Sequence, residues 1–138
     1  SYEVANSTAT VKTRGSAQKA FAGAVKANYG NRCAITGILT KDFLIASHIV
    51  PWSEDQSIRL DPSNGICLSL VVDRAFEKGY LLIDDELIVR IDWNKVADDQ
   101  ALRDYLQRYD GQQLNEPSRE PPNVAYLKRR RLLVSQIC

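Results

Sequence analysis

The sequence predicts an α+β fold, and three observations predict it. Residues 43–79 read as strand, loop, strand and helix in that order. A hairpin pattern follows at 80–91, and stretches with helical spacing of apolar residues stand at both ends of the chain. At 138 residues, with 44% hydrophobic and 25% charged residues, the chain fits one soluble domain with room for a core.

Ser1 to Thr13 is small and polar, so residues 1–13 read as a linker or ragged start, as a piece of a longer protein would begin. The domain proper is expected over 14–138, with its core at 43–79. Ser16 is placed to cap a helix from Ala17 to about Asn28, with Phe21, Val25 and Tyr29 near helical spacing and Gly30 as the stop. Arg32 to Ile35 reads as a short strand turned by Thr36-Gly37. Phe43 to Ile49 is a strand that Pro51 ends, because proline has no N–H for a ladder. Residues 53–63 form a loop closed by Asp61-Pro62-Ser63-Asn64-Gly65, and Ile66 to Ser69 is the second strand.

Leu70 to Lys78 gives two turns of helix ending at Gly79. Tyr80–Ile83 and Leu87–Ile91 pair across the acidic turn Asp84-Asp85-Glu86. Asp98 or Asp99 caps a helix to about Tyr109, with Ala101, Leu102, Tyr105 and Leu106 as its buried stripe. Asn123 caps a last helix, about Val124 to Ser135, that carries Lys128-Arg129-Arg130-Arg131.

Charge and cysteine use narrow the setting. The net charge is only +1, but residues 1–41 hold six cations against one acid, whereas 84–110 hold eight acids against four cations. Such a two-signed chain can turn a basic face to phosphate, and the 128–131 run reads as phosphate-binding. Cys33, Cys67 and Cys138 are odd in number and lack paired spacing. That argues against a disulfide framework or a paired-cysteine zinc site, and for a reducing, cytoplasmic setting. No apolar run approaches membrane-spanning length, so no membrane partner is expected.

The only histidine stands in Ser47-His48-Ile49-Val50-Pro51-Trp52, at a strand end. Asn64-Gly65-Ile66-Cys67-Leu68 opens the second strand, and Asp73-Arg74-Ala75-Phe76-Glu77-Lys78-Gly79 lies on the helix. These three parts in register resemble the ββα-metal (His-Me finger) site of HNH endonucleases. They are most similar to the restriction-type branch with the pattern SHI-P-W, NG-x-x-L, D-x-x-F-(D/E)-x-G. Arg14-Gly15, Gln18, Phe21, Tyr29 and Cys33-Ala34-Ile35-Thr36-Gly37 resemble the helix and turn that precede such cores.

The resemblance implies a metal-dependent endonuclease that hydrolyses DNA phosphodiester bonds to 5′-phosphate and 3′-hydroxyl ends, with one divalent cation, Mg²⁺ or Mn²⁺. It places the general base on His48, whose imidazole accepts a proton at neutral pH. It places a metal-binding carboxylate on Asp73, a suitable ligand for a hard cation. Asn64 either ligates the metal or orders the loop around the histidine. Ser47 stands where many relatives carry an acid or histidine ligand, so the metal is expected to be loosely held. Glu77, four residues after Asp73, is either a water-mediated second ligand or a helix-surface acid, and a supporting role is favoured. Arg32, Arg74 and Lys78 border the site as candidate DNA contacts.

A restriction or defence protein is the expected setting, with DNA as partner and a targeting domain upstream of Ser1. No helix with Arg, Asn and Gln aimed at base edges stands out, so cleavage with little sequence preference is expected. The rivals are an HNH-fold module that only binds DNA or a partner, and a nuclease appended to an RNA-guided complex.

Overall fold

A computed structural model describes residues 8–135, with side chains from Gly15 onward. It is an α+β arrangement of five helices and two small antiparallel sheets. α1 spans Thr8–Asn28, β1 Leu44–His48, β2 Gly65–Ser69 and α2 Leu70–Glu77. β3 (Leu81–Ile83) and β4 (Val89–Ile91) form the second sheet, followed by α3 (Trp93–Val96), α4 (Gln100–Gln107) and α5 (Val124–Ser135).

β1 and β2 pair so that Ser47 faces Ile66 and His48 faces Gly65. β2 is buried at every position, which suits its apolar run Gly65-Ile66-Cys67-Leu68. α2 starts directly at Leu70 and turns Val72, Ala75 and Phe76 into the core. Its end is a Schellman closure: Gly79 N–H donates to Phe76 O, Tyr80 N–H donates to Ala75 O, and Gly79 takes φ +82°.

The two flanking helices sit close against this unit, and two glycines make room for them. A Cβ on Gly65 would lie 2.5 Å from Val25 Cγ2 of α1, and one on Gly79 would lie 2.8 Å from Val134 Cβ of α5. The glycines of the Asn-Gly and Glu-Lys-Gly motifs are therefore the contact points of the two flanking helices.

Several expectations change. α1 begins at Thr8 and runs through the boundary expected at residue 14, while residues 1–7 lie outside the described residues. Gly15 and Ser16 sit inside the helix, where each costs about 1 kcal/mol or less, too little to stop it. Arg32 to Ile35 is a turn rather than a strand. The Cys33 thiol accepts from the N–H groups of Ile35 and Thr36 and curls the backbone, and Ala34 N–H donates to Cys67 O. β1 is shorter than 43–49, because Phe43 belongs to a 3₁₀ turn. In α4, Leu106 is buried, Leu102 and Tyr105 are half-buried, and Ala101 is exposed. The one-turn helix α3, capped by Asp92, was not expected. Asp99 caps α4 by accepting from Leu102 N–H, and α5 has the expected limits.

Candidate active site

β1, the loop after it, α2 and α5 enclose a cleft of about 630 Å³. Ser47, His48, Trp52, Asp73, Glu77, Lys78 and Arg130 line it. Strand, loop and helix thus bring the predicted base, carboxylates and lysine to one hollow.

His48 is held on several sides. Its ring stacks on Phe21 of α1, with centroids 4.4 Å apart and planes 17° apart, and meets Trp52 edge-on at 5.9 Å. Nε2 lies 2.9 Å from Arg59 O. A carbonyl only accepts, so in the neutral ring Nε2 carries the hydrogen and Nδ1 keeps the lone pair. Nδ1 makes no hydrogen bond among the described residues. Burial holds the His48 pKa below its ordinary value, opposed by the Arg59 carbonyl and reinforced by the charge of Arg130.

Asp73 and Glu77 project from α2 one turn apart. Burial raises the Asp73 pKa; the Ser47 hydrogen bond opposes this, Glu77's charge adds to it, and Arg74 and Arg130 pull it back. Glu77 is half-exposed and 3.8 Å from Arg74 Nε, a surface pair of small energetic weight.

Asn64 does not line the cleft. Its carboxamide is fully buried; Oδ1 accepts from Val50 N–H at 2.8 Å, and Nδ2 donates to Val50 O at 3.1 Å. With Ile49 N–H donating to Asn64 O, the residue pins both ends of the 49–64 loop. An amide enclosed and committed in this way is not open to a cation, so of the two expected roles of Asn64 the geometry favours ordering the loop.

Arg32 is exposed and Arg74 projects from α2, and neither lines the cleft, whereas Lys78 does. Three of the four cations in the basic run are engaged within the protein rather than turned together to phosphate as expected. Arg129 pairs with Asp55 at 3.1 Å, Arg131 donates to Ile83 O and pairs with Asp85, and Arg130 is buried. Phe21, Trp52, Arg59 and Arg130 were missed as neighbours of the histidine. The one local signal was aromatic: Trp52 lies within the motif itself.

The donor set fits a hard dication. Two carboxylates a helical turn apart line an open cleft, and burial and mutual repulsion penalise the charge on Asp73, which a cation would relieve. No group of three or more His, Cys, Asp or Glu among the described residues is placed to hold a metal by itself, so water and substrate oxygens would complete the shell. No helix of the described residues is long and apolar enough to cross a membrane.

Comparison with known proteins agrees with this geometry. No curated protein matches the chain. A family model described as HNH endonuclease matches residues 33–84, less than half of the chain, from Cys33 to the turn after β3. The match takes in β1, β2 and α2 with His48, Asn64 and Asp73, and leaves out α1 and α5. The chain carries an HNH-type, nuclease-class domain built around these three elements.

Proposed function

We propose that this chain is a metal-dependent endonuclease domain that hydrolyses DNA phosphodiester bonds. The observation that carries this reading is the shared cleft. It holds a histidine with one free ring nitrogen, two helix-borne carboxylates and the cations Lys78 and Arg130.

His48 Nδ1 takes a proton from a water molecule, and the water oxygen attacks phosphorus. The P–O bond to the 3′ oxygen breaks and that oxygen takes a proton from solvent water, giving 3′-hydroxyl and 5′-phosphate ends. Asp73, with Glu77 in support through water, would hold the divalent cation, Mg²⁺ or Mn²⁺. When bound, that cation supplies positive charge against the pentacoordinate phosphate and the leaving oxygen. Arg59 O fixes the tautomer of the base, Phe21 and Trp52 fix its plane, and Asn64 keeps the loop that bears Arg59 in place. Lys78 at the cleft edge meets a neighbouring phosphate. Ser47 donates to Asp73 and orients it.

A restriction or defence protein, with a targeting domain elsewhere in a longer chain, is the setting in which we place the domain. Incubation of supercoiled plasmid with the protein and Mg²⁺ or Mn²⁺, with and without chelator, tests the activity. Nicked and linear products that chelator abolishes are expected. Intact plasmid under all metals would overturn the proposal in favour of a binding module.

A further inference from the structure

α5 lies outside the stretch that matches the HNH family, yet one of its side chains reaches the centre of the site. Arg130 is 6% exposed. Its Nε donates to Ile49 O at 2.6 Å, one terminal nitrogen donates to His48 O at 2.9 Å, and the other donates to Glu77 O at 3.2 Å. Its guanidinium also covers the Phe76 ring at 5.0 Å. The first two carbonyls belong to the residue just after the strand and to His48, its last residue. The third is the last carbonyl of the helix that carries Asp73 and Glu77, where a cation is favoured and an acceptor would otherwise lack a partner.

We propose that Arg130 is a positioning residue for the nuclease site: its planar fork joins the strand end at His48 to the helix end at Glu77 and so sets the base against the carboxylates. The assignment rests on the nuclease reading above.

Two arguments favour this over a purely structural role. A buried guanidinium is costly to desolvate, its hydrogen bonds here all go to neutral carbonyls, and the carboxylates whose charge offsets that cost are Asp73 and Glu77 of the site itself. α5 is also well anchored elsewhere. Leu127 and Val134 are buried in the core, Tyr126 Oη donates to Asp61 at 2.9 Å, and Arg129 and Arg131 hold Asp55 and Asp85. Among these α5 side chains, Arg130 is the one that bonds to both the His48 strand end and the Glu77 helix end. Lysine, a point donor without the fork, cannot span three carbonyls.

The experiment compares Arg130→Lys and Arg130→Gln with Leu127→Ala, which loosens the same helix without touching the site. Both Arg130 variants should lose about 100-fold in kcat, as a misplacement of about 1 Å can cause, with KM within about twofold and melting temperatures no lower than that of Leu127→Ala. Because His48 is the only histidine, its ring ¹⁵N resonances report directly on the base. Wild type and Leu127→Ala should show one Nε2–H tautomer, and the Arg130 variants a mixture. The assignment is overturned by unchanged kcat and ring resonances, by an equal kcat loss in Leu127→Ala, or by failure of both Arg130 variants to fold where Leu127→Ala folds. A wild type that does not cut would refute the nuclease reading, while the ring resonances would still decide the role of Arg130.

Discussion

The imidazole of His48 lies flat on the ring of Phe21, so helix α1 supplies the floor on which the candidate base rests. Phe21→Leu keeps most of the buried volume and removes the flat face. We expect about 1 kcal/mol of lost stability and about a tenfold lower kcat, the equivalent of the stacking energy of such a pair. Thermal melts and plasmid nicking measure the two separately, and a melt shift without a rate change would disprove the platform.

His48→Ala should lower the cleavage rate by roughly 10²–10⁴-fold with nearly unchanged DNA affinity. In wild type the pH–rate profile follows from the depressed pKa. The neutral ring is the active form, so kcat/KM should rise with pH with its midpoint below about pH 6.5, the unperturbed value, and level off by neutrality. The same shift makes the contribution of His48 to stability complete above about pH 6.5 and lost as pH falls through the native pKa. A rate still climbing above neutrality would contradict this.

Asp73 carries a charge that the fold resists, because burial and Glu77 raise its pKa. Replacing it by Asn, which keeps the shape, should raise the melting temperature by a few degrees at neutral pH without metal. Cleavage should vanish in the same variant. Mn²⁺ should stabilise wild type and leave Asp73→Asn unmoved; an equal effect on both would place the cation elsewhere.

Gly65→Ala should destabilise by about 1–3 kcal/mol, because its methyl would collide with Val25. Val25→Ala in the same chain should recover part of that loss. Denaturant melts of the two single variants and the double variant measure the coupling, and strict additivity would refute the contact.

DNA binding by the domain should weaken steeply with salt, and Lys78→Ala should reduce the log–log slope by about one unit. Ends mapped on a long DNA of known sequence should show little consensus. A single short consensus would place a base-reading surface within these residues.

The centre of the fold was legible because each part obeys a local rule. His48, Asp73 and Glu77 sit at a strand end and on a short helix with clear stops; spacing puts Asp73 and Glu77 on one helix face, and the cleft holds them with His48 as the family resemblance implied. What escaped was decided by tertiary contact. Asn64 has two chemically sensible jobs, and only burial against Val50 separates them. Arg130 stands in a run of four cations that looks uniform along the chain, yet the helix sends its members to different partners. The bend at Cys33 depends on a thiol accepting backbone N–H groups, which apolar periodicity does not report.

The bond from Arg130 to His48 O spans 82 residues of chain. During synthesis the strand, loop and helix of the site emerge from the ribosome well before the side chain that joins them. On the role proposed for Arg130, the strand, loop and helix made first stay unjoined on the nascent chain until α5 has emerged and docked. On the nuclease reading, the order of translation thus holds back cleavage until α5 is in place.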